Sequence, residues 1–185
     1  MFFYFSVFLY VLALAYFIKL IVDFIRCKGK EPPFITSLGK IKKEILETAK
    51  KFLRENNGIK VTDLGCGSGS LLIPLAKEFK ESKFVGYEYD WIAYTIAKVK
   101  TFYIPNIVIY KKNFFDVDLS EYRLVLCYIT PGISDRLGDK LNRELTKDSL
   151  IISEIFEIPK LKAVEEITSS IAFKKLKIFL YIPNK

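Results

Sequence analysis

The stretch Val61-Thr62-Asp63-Leu64-Gly65-Cys66-Gly67-Ser68-Gly69-Ser70 decides how the rest of the chain is read. β-Branched residues lead into an acid, glycines then fall at every second position, and a helical apolar pattern runs on to Phe79. That order describes a strand that ends in a tight turn and hands the chain to a helix. Gly65, Gly67 and Gly69 admit dihedrals and a close ligand approach that a Cβ forbids, and the helix start beyond them offers N–H groups with no partner inside the helix. The spacing is G-x-G-x-G with an aspartate two residues ahead, not the G-x-G-x-x-G of dinucleotide-binding turns. A second acid follows in step. Phe84-Val85-Gly86-Tyr87-Glu88 reads as the next strand and puts Glu88 about 20 residues beyond the turn, where a carboxylate accepts the two hydroxyls of a ribose. Glycine-rich turns also occur in α/β proteins that bind nothing there; Glu88 is what favours a ligand.

Working outward, strand and helix patterns alternate. Ile59–Leu64, Lys83–Tyr89, Asn106–Tyr110, Arg123–Ile129 and Ser149–Phe156 read as strands, with helices expected over Gly69–Phe79, Trp91–Phe102 and Ser134–Leu145. This rhythm predicts a doubly wound α/β domain around a mainly parallel sheet covered on both faces. The tail departs from it: Ala163–Thr168 and Lys174–Ile182 are apolar alternations joined by Ser169-Ser170, read as a terminal antiparallel pair that brings the sheet to seven strands. Ahead of the first strand, Ile41, Ile45, Ala49, Phe52 and Leu53 share one helix face and lysines the other, with a cap at Thr36 or Ser37 and a stop at Asn57-Gly58.

The first residues are of another kind. Phe2–Ile18 carries no charge, and the apolar pattern continues past Lys19 and Asp23 to Ile25. About 20 residues cross the hydrocarbon layer, so residues 1–25 are expected to form a retained transmembrane anchor helix. A signal peptide would want a basic start and a small-residue cleavage site, whereas no basic side chain precedes Lys19. Arg26, Lys28 and Lys30 follow directly and orient the span with its N-terminus out and the domain cytoplasmic. Residues 26–37, with Pro32 and Pro33, are expected to be a basic linker and lid segment, and residues 38–185 the globular domain. The net charge of +8 suits an anionic membrane surface; no nucleic acid is expected, since no aromatic residues alternate with the lysines of the first domain helix. The chain has three cysteines, no C-x-x-C pair and no histidine, which argues against a zinc site, a histidine-based triad or a disulfide framework; no metal is expected.

The run Asp63-Leu64-Gly65-Cys66-Gly67-Ser68-Gly69 resembles motif I of the class I S-adenosylmethionine-dependent methyltransferases, whose fold is Rossmann-like. Pro33-Phe34-Ile35-Thr36, Val85-Gly86-Tyr87-Glu88, Asn113-Phe114-Phe115-Asp116-Val117-Asp118-Leu119-Ser120, Lys140–Leu145 and Ser153–Ile158 are similar to one group among them. These are the membrane-anchored protein lysine methyltransferases of the ATP synthase c subunit and adenine nucleotide translocator, with their archaeal relatives. The resemblance implies S-adenosyl-L-methionine as cofactor, a lysine side chain of a protein as acceptor, with membrane proteins among the candidates, and N-methyl transfer as the reaction. It assigns cofactor binding to Asp63, Gly65, Cys66, Gly67, Gly69 and Glu88, with Tyr89 against the adenine, Asn113 bonding its edge and Phe114 covering its face; Phe114 and Phe115 serve equally as core residues. Tyr128, at the end of the fourth strand, is the candidate to bond the amine, and Glu157 to attract the substrate lysine, each with a structural role as its alternative. Methylation of a membrane lipid or small amine, and a non-catalytic cofactor-binding assembly module, are the competing functions. Ser68 and Ser70 stand where that group commonly has an acid and an arginine.

Overall fold

The computed structural model describes residues 2–26, 39–128, 131–171 and 174–184, with side chains over those ranges except 2–3, 19–26, 170–171 and 174–175. The Pro-rich segment and the expected cap at Thr36 or Ser37 lie outside the described residues. The chain divides into two units, Met1–Ile35 and Thr36–Lys185.

The first unit contains α1, Phe2–Arg26. Its described side chains from Tyr4 to Ile18 are exposed, aromatic ones such as Phe5, Phe8, Tyr10 and Phe17 included. Among the described residues no helix is long and apolar enough to cross a membrane, so the expected transmembrane helix is not supported. What stands is an apolar helix; the uncharged run ends at Ile18, one residue before Lys19.

The second unit is a three-layer α/β domain. Its sheet holds seven strands in the order β3-β2-β1-β4-β5-β7-β6. β1 (Lys60–Leu64), β2 (Lys83–Glu88), β3 (Ile107–Lys111), β4 (Leu124–Cys127) and β5 (Leu150–Glu154) run parallel; β7 (Lys174–Tyr181) is antiparallel to β5, and β6 (Ala163–Ile171) pairs antiparallel with β7. The chain therefore starts at the centre, winds out to β3, returns to β4 and winds out the other way. The reversal lies between β1 and β4, the place where open α/β sheets bind ligands. Ser169 and Ser170 are not a turn: they extend β6, opposite Leu176 and Lys175.

Alternation along each strand feeds two cores. On one side α2 (Gly39–Glu55) buries Ile41, Ile45, Ala49 and Leu53, spaced four apart, together with Leu72 and Leu75 of α3 (Leu72–Glu78) and Ala97 of α4 (Trp91–Thr101), over Val61, Phe84, Leu126 and Ile152. Part of the basic face of α2 ties it to α3, since Lys50 and Arg54 both reach Glu78, at 2.9 and 3.2 Å. On the other side α5 (Pro131–Glu144) lays Leu137 and Leu141 over Leu64, Val125 and Ile151.

One crossover lacks its helix. Between β3 and β4 the chain makes only a 3-10 turn, Phe114–Asp116, and covers the sheet with Val117, Leu119 and Tyr122. A groove of about 730 Å³ remains there, lined by Lys60, Lys83, Val85, Val108, Tyr110 and Lys112 among others. It includes neither the glycine turn nor Glu88 nor Tyr128, and so lies apart from the site described next.

Candidate active site

The glycine turn takes the form its sequence demands. Gly65, Gly67 and Gly69 have φ of 84°, 53° and 76°, the left-handed region that only glycine enters without steric cost. The Gly65 and Cys66 N–H groups both donate to the Tyr87 carbonyl, at 2.9 and 3.0 Å, which folds the turn back over β2. Cys66 is buried beneath it, and burial pushes its thiol pKa up, away from any nucleophilic use. Room for that sulfur comes from a glycine that sequence reading passed over. A Cβ on Gly86 would stand 2.6 Å from the Cys66 sulfur and 2.7 Å from an Ile109 carbon.

Glu88 ends β2 and is fixed by backbone donors on both oxygens. Gly67 N–H donates to Oε2 at 2.8 Å and Asp90 N–H to Oε1 at 2.7 Å. Each carboxylate oxygen has two lone-pair directions, so one on each is left for a ribose hydroxyl. Asp90 in turn caps α4, accepting from the Ile92 and Ala93 N–H groups at 2.9 and 3.0 Å.

Asp63 is 4 % exposed at the end of β1, and burial, then the charges of Glu88 and Glu154, push its pKa up to about 8. Register explains this meeting of acids. Asp63 lies opposite Gly86 and Leu126, and Leu126 opposite Ile152, so on one sheet face the next residues upward are Glu88, Tyr128 and Glu154 on strands β2, β4 and β5. The position between Glu88 and Tyr128 belongs to the glycine turn, which has no side chain to fill it.

The remaining expected residues divide. Tyr89 is 76 % exposed, with the Lys111 ammonium 5.8 Å from its ring centre, and is open to a planar ligand. Asn113 caps the 3-10 turn: its Oδ1 accepts from Phe115 N–H at 3.0 Å, which leaves only its amide N–H groups for a ligand. Phe114 packs against the second core and against Phe115, ring centres 4.7 Å apart, the core role held open from the sequence. Tyr128 is half-buried beside the site, its pKa raised by burial and by Glu154. Glu157 is exposed, three residues past β5; the acid that register brings beside Tyr128 is Glu154, 3 % exposed. Its signal in sequence is an acid at the carboxyl end of a strand, the position already used to find Glu88.

The match with known proteins covers this same region. Residues 63–165 match the family model described as ANTKMT methyltransferase domain. A protein-lysine N-methyltransferase of Saccharolobus islandicus is 34% identical over 129 residues, covering 68% of this chain and 78% of its own. Among solved structures, an RNA methyltransferase from Salinibacter ruber, crystallised with S-adenosyl-L-homocysteine, superposes with a TM-score of 0.67 at 19% identity, covering 82% of this chain and 95% of its own. A precorrin-6y C5,15-methyltransferase from Geobacter metallireducens does so with a TM-score of 0.60 at 15% identity over the same shares. Those two act by name on unlike acceptors, so the common architecture speaks to the fold and not to the substrate.

Proposed function

Because this chain belongs to the ANTKMT methyltransferase domain family, we propose that it is an S-adenosylmethionine-dependent protein-lysine N-methyltransferase. The observation that carries the reading is the 34% identity to a protein-lysine N-methyltransferase. The cradle fits the cofactor: three glycines bare of Cβ and of positive φ, beside a carboxylate with a free acceptor direction on each oxygen. When bound, S-adenosylmethionine supplies an electrophilic methyl group on a sulfonium. Glu88 holds the ribose hydroxyls, Asp63 takes the methionine end, and Tyr89 covers the adenine. Positioning is the main task, and alignment of an amine with its target contributes on the order of 7 to 11 kcal/mol. The acceptor must arrive as a neutral amine, against a free lysine pKa of about 10.4. The half-buried Tyr128 bonds that amine through its hydroxyl, and the positive charge of the bound sulfonium would favour loss of its proton to water.

The experiment is incubation of the detergent-solubilised protein with methyl-labelled cofactor and host membranes. Label in protein, recovered as methyl-lysine after hydrolysis, is expected. Label that extracts into organic solvent would replace the acceptor by a lipid or small amine, and no transfer together with no cofactor binding would leave an assembly module.

The setting is proposed on separate grounds: α1 seats the enzyme at a membrane with its N-terminus outside and its domain cytoplasmic. Support comes from the uncharged run Phe2–Ile18, its exposed aromatic side chains and the basic cluster Arg26, Lys28 and Lys30. Recovery in the membrane pellet after alkaline carbonate washing is expected. Recovery in the supernatant would remove the anchor and leave the chemistry untouched.

A further inference from the structure

Where β5 ends, the chain takes a conformation its residues resist. Ile155 has φ of 70°, the one non-glycine of positive φ among the described residues, and it is β-branched, the side-chain type least suited to that region. Phe156 N–H donates to the Glu154 carbonyl at 2.8 Å, a bond from one residue to the second before it, which with positive φ at the centre is the rarer and strained form of γ-turn. Three contacts hold it. Ile155 N–H donates to the Lys177 carbonyl at 2.8 Å, the Ser153 hydroxyl donates to the Phe156 carbonyl at 2.7 Å, and the Ile155 side chain packs against the first core. Glycine would adopt this turn freely, so the isoleucine is kept there by its surroundings, as strained residues at functional sites are.

The turn has one evident product. It sends Phe156 back beside Tyr128, with ring centres 6.0 Å apart and planes at 49°. Both residues are half-buried, so each keeps part of its surface open at the strand ends, one strand beyond the position that Gly65 leaves without a side chain. Straight continuation of β5 would carry Phe156 on along the strand direction, away from Tyr128.

We propose that Tyr128 and Phe156 together form an aromatic wall against which the acceptor lysine lies, and that Ile155 is the positioning residue that builds it. The proposal rests on the lysine reading above and adds what that reading lacks, the surface that receives the side chain. Aromatic faces suit the task at each stage. They pack against the lysine methylenes and take no proton from the amine. They attract an ammonium more as methyl groups replace its hydration, since methylated ammonium ions are the ones aromatic cages select. A wall of this kind retains the mono- and dimethyl forms for a further transfer, so it sets how many methyl groups are added.

The test compares the full-length protein with Phe156→Ala, Phe156→Tyr and Ile155→Gly, using a lysine-rich peptide and its monomethyl-lysine form as acceptors and mass spectrometry of the products. Phe156→Ala is expected to raise KM for the monomethyl peptide on the order of tenfold, and to shift products toward monomethyl-lysine, with cofactor affinity by calorimetry unchanged. Phe156→Tyr restores the product ratio, and Ile155→Gly, which keeps the turn accessible but loosens it, falls between. Unchanged KM and product ratio in Phe156→Ala, in a protein that does methylate lysine, would overturn the wall alone. A wild-type protein that binds cofactor and methylates no lysine would overturn the lysine reading and the wall with it.

Discussion

Glu88 and Asp63 show how two carboxylates on neighbouring strands come to differ. Glu88 is held by two backbone N–H groups, each at under 3 Å, and is thereby fixed in orientation. Glu88→Ala removes the ribose acceptors and releases Gly67 and Asp90 at once; calorimetric titration is expected to show cofactor affinity falling by about 100-fold or more, the loss of two charge-assisted bonds. Asp63 is pushed up to about 8, mainly by burial. The sign follows. A raised folded pKa gives a contribution to stability that is complete below the unfolded value of about 3.9 and lost as pH rises through 8. A cationic ligand favours the ionised form, so cofactor affinity is expected to climb between pH 6 and 8 and level off above, and Asp63→Asn to flatten the profile. Both residues were legible in the sequence, because a glycine turn and an acid at the next strand end are local patterns. Glu154 was legible only in part: an acid at the end of the fifth strand stands in the sequence, but its place beside Tyr128 depends on the register of β4 against β5. Asn113 keeps its amide N–H groups for a ligand, but the 3-10 turn that its Oδ1 caps was not foreseen from the sequence.

Among elements, the β3–β4 link and α5 depend on each other through a buried charge. The Lys140 ammonium on α5 donates to the Val117 carbonyl at 2.6 Å and to both Glu144 oxygens at 2.8 Å, and Glu144 Oε2 accepts from Leu119 N–H at 3.1 Å. One ion pair thus satisfies the backbone of a crossover that has no helix to satisfy it. Burial opposes the Glu144 charge, but the bonds from Lys140 and Leu119 outweigh it and hold its pKa below the usual carboxylate range. Its contribution is therefore present at neutral pH and lost in acid, as pH falls through the depressed folded value. Lys140→Met leaves the Val117 carbonyl without its donor and Glu144 with only the exposed Arg143 guanidinium as cation, at 3.1 Å, and is expected to cost about 3 kcal/mol in urea denaturation, with Glu144→Gln milder. The apolar face of α2, Ile41 to Leu53, was plain from spacing. The pairing of Lys140 with Glu144 at helical spacing was visible too, but its burial was not, because burial comes from a link that lies on the helix only in three dimensions.

At the scale of the whole molecule the sequence yielded the strand sequence, the two-way winding and the antiparallel end, all from alternation of pattern. It also left the stretch between the third and fourth strands without a helix, as the structure has it. What pattern alone misread was continuity: Ser169 and Ser170 look like a turn yet prolong β6, opposite Leu176 and Lys175 of β7. The half-sheet on the other side carries the consequence of the bare crossover. β3 is paired on one side only, and Val108 and Tyr110 are 41% and 44% exposed, whereas every residue of β4 is buried. Local opening should follow that division, with β3 amides exchanging hydrogen for deuterium roughly 100-fold or more faster than those of β4 in the free protein. Equal rates would contradict it. Glu88 and Tyr89 lie on this softer half and Tyr128 on the firmer one. Occupation of the ribose site then slows exchange across β2 and β3 by closing their local openings, so the cofactor tightens the part of the sheet that the chain leaves least covered.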